Sequence, residues 1–230
     1  EDIPVINSSH LFLLDRAQLY FKRELPADHW RLFLRTAHPD LPTPRFRRRK
    51  RHQQRLTKVR PISLGLPQGS QAVLPDRAAT KNADIFFIGR VEGSSTVRAR
   101  GFAELMELRR RGYVVDIPDK PLPLAEFHQR CARAWLTWSP EGLGFDCFRH
   151  YEAAASFSVP LINHPPIERH RPLRQGEHAL YYDIEPGGLI RAAEAALADR
   201  PRLEQMAAAA REHVLAHHTT PALVRYVVET

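Results

Sequence analysis

Two loops of this sequence gather residue types that bind phosphate and sugar. The first, 89–96 (Gly-Arg-Val-Glu-Gly-Ser-Ser-Thr), sets two glycines, three hydroxyls and an arginine between an apolar run and a helical pattern. Small side chains and the free N–H groups of a helix start let a diphosphate come close. Gly89, Arg90, Ser94 and Ser95 are therefore candidate anion ligands, with Arg90, Arg98 or Arg100 available to neutralise the charge. The same Gly-Ser-Ser pattern also suits an ordinary turn, and Arg98 and Arg100 also suit a solvated helix face. The second loop, 139–152 (Ser-Pro-Glu-Gly-Leu-Gly-Phe-Asp-Cys-Phe-Arg-His-Tyr-Glu), is more specific. Glu141, Gly142 and Gly144 precede a helix on which Arg149 and Glu152, three apart, share one face near its start. A carboxylate there can take two sugar hydroxyls, and a guanidinium can take a phosphate. The competing reading is an intrahelical ion pair contributing a few tenths of a kcal/mol. Such a pair has no use for the adjoining Gly-x-Gly, which favours a ligand.

These loops need a scaffold, and the pattern from residue 82 onward predicts one. Apolar runs of strand length at 85–88, 113–117, 134–138, 159–162 and 179–182 alternate with helical periodicity at 100–111, 124–133, 150–157, 188–198 and 201–217. On the helix over 100–111, Phe102, Leu105, Met106 and Leu108 face inward. Near-strict alternation implies parallel strands joined by crossover helices, a doubly wound α/β sheet of Rossmann-like form. Ligands of such sheets bind beyond the carboxyl ends of the strands, where 89–99, 118–123 and 139–149 fall. Residues 1–60 read as the remnant of another domain, 61–81, with Pro61, Gly65, Pro67, Gly69 and Pro75, as a linker, and 82–230 as the ligand-binding domain.

The chain of 230 residues is 43% hydrophobic and carries a formal charge of +8. That excess is local: nine Lys or Arg and no acid lie in the segment that opens on Arg45 and closes on Arg60, and without them 25 basic residues face 26 acidic ones. A solvated basic surface is the plain reading of this segment; the alternatives are nucleic acid, an anionic membrane, or an anionic or lipid-linked acceptor. No apolar run has the roughly 18–20 residues of a membrane helix. Cys131 and Cys147 are too few for a disulfide framework, and no signal-peptide order opens the chain, so a cytoplasmic location, including one peripheral to a membrane, is expected. The chain opens on Glu1 in a strand pattern, and upstream sequence is expected to exist.

From about Asp84 onward, some 145 residues resemble the C-terminal, donor-binding domain of GT-B glycosyltransferases of the glycosyl transferases group 1 type. Ile88-Gly89-Arg90 resembles the family's first strand and Gly-Arg, and the Glu141 loop its Glu-Gly-Phe-Gly. Arg149-His-Tyr-Glu152-Ala resembles the Arg-x-x-Glu-Ala helix, Val159-Pro-Leu-Ile162 the strand after it, and 211–219 the last long helix. The resemblance implies transfer of a sugar from a nucleotide-diphosphate sugar, with no cofactor beyond that substrate and no metal. Glu152 would bind ribose hydroxyls, Arg90 with Arg98 or Arg149 the diphosphate, and Glu141 would stand near the transferred sugar, leaving Arg90 and Glu141 as the catalytic candidates. Three positions depart from the family. Glu141 and Glu152 are eleven apart instead of eight, Gly144 taking the usual place; a basic residue after Gly-Arg falls on Ser95; and a glycine between helix and strand falls on Phe157.

No pair among the twelve histidines combines helical spacing with an acidic third ligand, so most read as surface or capping residues and none as a metal ligand. Asp2, His10, Asp15, Glu24 and His29 are the candidates for an acceptor-side base, with no spacing that selects among them.

Overall fold

The computed structural model describes residues 4–7, 10–33, 50–93 and 95–230. The chain divides into two units: Glu1–Ser63 with Leu143–Phe145 and Pro166–Pro172, and Leu64–Gly142 with Asp146–Pro165 and Leu173–Thr230. The linker expected over 61–81 therefore falls mostly within the larger unit.

The smaller unit contains α1 (Leu11–Arg16), β1 (Tyr20–Lys22), β2 (Leu25–Pro26), a 3-10 turn at His29–Phe33, α2 (Lys50–Leu56) and β3 (Val59–Pro61). β1 pairs in parallel with β3, and β2 pairs antiparallel with β8 (Ile167–Glu168). Leu14, Leu25, Leu32, Phe33 and Val59 form its core. Of the basic segment 45–60, residues 45–49 lie outside the described residues. Four described cations of that segment hold the unit together. Arg51 and Arg55 donate to the Asp15 carboxylate at 2.7 and 2.6 Å, and the Arg55 guanidinium, then that of Arg51, hold Asp15 well below the usual carboxylate range. Lys58 donates to the carbonyls of Leu14 and Ala17, and Arg60 to those of Thr57 and Val59.

The larger unit runs α3 (Gln68–Gln71), β4 (Ala83–Phe86), α4 (Thr96–Arg110), β5 (Val115–Asp116), α5 (Leu124–Arg133), β6 (Ala134–Trp138), α6 (Phe148–Ala155), β7 (Val159–Asn163), β9 (Leu180–Tyr182), α7 (Gly188–Leu197), α8 (Arg200–His217) and α9 (Thr220–Glu229). Its sheet has the order β5-β4-β6-β7-β9, with every neighbouring pair parallel. The expected α/β class is thus the observed one. β4, β6 and β7 are apolar along most of their length, Asp84, Thr137 and Asn163 excepted, because helices cover both faces; Ile85, Leu136, Val159 and Leu161 are fully buried. Crossovers leave β4 toward β5 and β6 toward β7, so the order reverses between β4 and β6. The crevice beyond those two strands is where this architecture binds ligands.

Local chemistry explains where the expected elements shift. α4 starts at Thr96 and not at 100, because Ser95 Oγ accepts from Arg98 N at 3.2 Å and caps the helix. Along it Leu105 and Leu108 are buried, and Phe102 and Met106 pack partly buried against the same core. Gly101 lets α4 approach β6: a Cβ there would stand 2.3 Å from the Trp138 ring. The strand expected over 113–117 shrinks to two residues. α9 follows the two expected closing helices, capped by Thr219, whose hydroxyl accepts from Ala222 N. α6 ends in a Schellman motif, with Ser158 N bonded to Ala153 O and Phe157 N to Ala154 O. Phe157 sits at the left-handed position, φ 59°, where the resembling family carries glycine.

Most described histidines lie at or near the surface, but His128, His150, His178 and His218 are buried. His150 Nδ1 pairs with Ser139 Oγ at 2.7 Å, and His128 Nδ1 with Ser156 Oγ at 2.8 Å. Burial pushes His128 down to about 4, against 6.5 for an ordinary histidine. Between those pH values the unfolded chain takes up a proton that the folded chain refuses, so stability falls as pH falls through that window, by roughly 2–3 kcal/mol at most. Urea midpoints at pH 7 and pH 4.5 should show the loss, and His128→Asn should flatten it. An unchanged pH dependence in that variant would assign the loss to other groups.

Candidate functional site

The two loops singled out from the sequence meet at the crevice between β4 and β6. Arg98, one turn into α4, spans them: its Nε donates to Glu141 O at 2.8 Å and its Nη1 to Arg90 O at 3.0 Å. Gly142 makes room for it, since a Cβ there would lie 2.8 Å from Arg98 Nη2. Arg98 is therefore neither a solvated helix residue nor wholly free for a ligand, because two of its three nitrogens hold loop carbonyls.

Arg149, in the first turn of α6, lies across Gly89, where a Cβ would come within 2.7 Å of its Nη2. Its guanidinium carbon stands 5.5 Å from the centre of the Phe87 ring. Phe87 in turn packs on Trp138, whose indole N–H donates to Tyr182 OH at 2.9 Å, so a buried aromatic layer underlies the arginine. Arg149 Nη1 is buried and has no hydrogen-bond partner among the described residues. Burial lowers the pKa of Arg149, and the neighbouring Arg98 charge adds to that. A desolvated cation beside a second cation, without a counter-ion in contact, is costly unless an anion arrives. Cys147, the N-cap of α6, makes no side-chain cap bond, and in the first turn His150 N bonds to Cys147 O.

Glu152 follows one turn later and forms no ion pair with Arg149 among the described residues, so the intrahelical pair is not built. Its Oε1 instead accepts from Ser70 Oγ at 3.0 Å. Burial raises the Glu152 pKa, opposed by the Ser70 hydrogen bond and the Arg149 charge. Glu141 is pinned by Asn163, which accepts from its backbone N–H through Oδ1 and donates to its carboxylate through Nδ2, both at 2.9 Å. Asp146, in the same loop, accepts from Tyr151 OH and from Leu64 N, each at 2.7 Å.

Several expected residues fall elsewhere. Ser94 lies outside the described residues. Ser95 is the α4 cap, and Arg90 is exposed at the mouth of its loop. Arg100 lines a small separate cavity with Thr96, Glu104 and Tyr182. Gly144 belongs to the smaller unit, where a Cβ would stand 2.5 Å from Glu24 Oε1, and the adjoining Phe145 N donates to Glu24 Oε2 at 2.9 Å. The glycine there answers to a buried carboxylate. Of the acceptor-side candidates, Asp15 is paired with arginines, His29 lies 3.2 Å from Glu168, and Asp2 lies outside the described residues.

Ser70 and Asn163 were not found from sequence. Asn163 carries a recoverable signal, a polar residue closing an apolar strand at the ligand-facing end of the sheet. Ser70 carries none, since only folding brings α3 to α6. Among the described residues, no group of three or more His, Cys, Asp or Glu is arranged to hold a metal ion, and no helix is long and apolar enough to cross a membrane.

No protein-family model matches the chain, and no curated protein matches it in sequence. Solved structures do match in fold. Sucrose-phosphate synthase from Thermosynechococcus elongatus is similar at a TM-score of 0.50 and 16% identity, over 75% of this chain and 51% of that one. TarM is similar at 0.51 and 7% identity, over 74% and 42%. An alpha-glucosyltransferase in complex with UDP and a 13-mer DNA is similar at 0.51 and 11% identity, over 74% and 58%. The matches span about half the length of these proteins. The fold is α/β and Rossmann-like, and it matches GT-B glycosyltransferase structures.

Proposed function

We propose that this chain forms the donor side of a glycosyltransferase that moves a sugar from a nucleoside diphosphate sugar to an acceptor without a metal ion. The observation that carries the reading is Arg149, which has a buried guanidinium nitrogen without a hydrogen-bond partner, feels the charge of Arg98 and stands in the first turn of a helix whose N-cap makes no side-chain bond. A diphosphate satisfies all three features together. Glu152 then receives the ribose, and Glu141, held by Asn163, stands toward the sugar. As the sugar–phosphate bond breaks, negative charge gathers on the departing diphosphate. Arg149, the remaining nitrogen of Arg98 and the exposed Arg90 are placed to stabilise it. The likeness in fold to sucrose-phosphate synthase and to a UDP-bound alpha-glucosyltransferase supports the reading. Among the described residues of the basic segment 45–60, Arg51, Arg55, Lys58 and Arg60 are engaged within the chain.

A thermal-shift panel of UDP-, GDP- and ADP-sugars tests the proposal. A donor present at a hundred times its Kd stabilises the folded chain by about 2.7 kcal/mol. For a chain of this length that raises Tm by roughly 5–10 °C. One nucleotide series is expected to do this, and Glu152→Ala to remove it. No shift with any donor at millimolar concentration would sink the proposal.

A further inference from the structure

Ser70 lies in a segment with no chemical signature in the sequence, yet it is wholly buried and its hydroxyl donates to Glu152 Oε1 at 3.0 Å. The surrounding chain fixes it there. Ser70 N bonds to Pro67 O and Val73 N to Ser70 O, while Leu66 and Leu74 pack against Tyr151, Ala154 and Ala155. A serine has one hydroxyl hydrogen, and Glu152 takes it. A carboxylate reads a ribose diol most simply when each hydroxyl reaches one of its oxygens. A carboxylate oxygen has two lone pairs, but Oε1 lies against a wholly buried serine that holds one of them, while Oε2 makes no hydrogen bond among the described residues and is the oxygen left to a ligand.

Building on the donor-site reading above, we infer that Ser70 is a positioning residue that turns one oxygen of Glu152 inward, so that the carboxylate reads one ribose hydroxyl instead of two. The ligand class of the site is then a nucleoside diphosphate whose 2′ or 3′ hydroxyl, but not both, is dispensable.

Calorimetric titration of the full chain with uridine, guanosine and adenosine diphosphates, and with the 2′-deoxy and 3′-deoxy forms of whichever binds, tests this. In the wild type one deoxy form is expected within about twofold of the ribonucleotide, and the other about tenfold weaker or more, as for a lost hydrogen bond to a charged group. Ser70→Ala releases Oε1, so both deoxy forms should then fall behind the ribonucleotide. Ser70→Thr keeps the hydroxyl and should keep the wild-type ratios. A serine with only a structural role would move all affinities together and leave those ratios alone. Equal weakening of both deoxy forms in the wild type overturns the inference, and so do unchanged ratios in Ser70→Ala; in either case loss of hydroxyl discrimination in Glu152→Ala shows that the donor-site reading stands. Equal binding of all three forms, absence of binding, or full affinity in Glu152→Ala overturns the donor-site reading and this inference with it.

Discussion

Arg149→Ala should weaken binding of the preferred nucleoside diphosphate about a hundredfold while raising the Tm of the ligand-free protein. The two signs have one cause. Without a bound anion the half-buried guanidinium has a buried nitrogen without a partner and feels the charge of Arg98. Removing it relieves that cost, less the contact with Phe87, for a net gain of about 1 kcal/mol, or roughly 2–4 °C in a domain of this length. In the complex the same group makes charge-assisted bonds to phosphate, and losing one such buried partner costs about 2–5 kcal/mol. Titration calorimetry and thermal melts on one pair of proteins check both halves. A residue with a purely structural role would lower Tm on truncation, and that outcome would remove Arg149 from the site.

The second large effect concerns Lys81, which the sequence reading left in a linker. Its ammonium donates to the carbonyls of Ala132, Ala134 and Phe157 at 2.9, 2.8 and 2.5 Å, joining the end of α5, the start of β6 and the turn after α6. Burial pulls its pKa down to about 8, so at neutral pH it keeps three hydrogens, one for each carbonyl. Lys81→Met leaves three acceptors without their donor at a place the apolar side chain helps to close. Each unsatisfied group costs about 1–3 kcal/mol, with partial relief from water. A loss of roughly 3 kcal/mol or more is expected, lowering Tm by about 10 °C. Equilibrium urea unfolding at pH 7 reads it directly. A change below about 1 kcal/mol would mean that water takes over the role of the ammonium.

How much of this was legible follows from the range of the forces involved. The parallel sheet was legible because strands covered on both faces must be apolar along their length, and 134–138 matched β6 to the residue. Helix starts were less so: α4 begins at its serine cap, ahead of its first apolar residue, and periodicity alone overlooks that turn. Phe157 looked like a departure from the family, but the backbone makes the same left-handed cap that a glycine would make. Gly144 read as part of a ligand loop because it lies between Gly142 and Asp146 in sequence, while its physical reason is Glu24, more than a hundred residues earlier.

The site divides along the same line. Arg149 and Glu152 could be named from a three-residue spacing, because a helix fixes which face they share and the strand order fixes which end of the sheet they face. Their state could not. Whether Arg149 pairs with a carboxylate, and which oxygen of Glu152 is already bonded, depends on Gly89, Arg98 and Ser70, which reach them only through long-range packing. Residue types and spacings sufficed for the fold class and for the two loops that meet beyond β4 and β6, since those follow from local geometry and alternating hydrophobicity. The charge balance of the crevice and the clamps on its two carboxylates are properties of the folded chain alone, because desolvation and hydrogen-bond partnership exist only once distant segments are in contact.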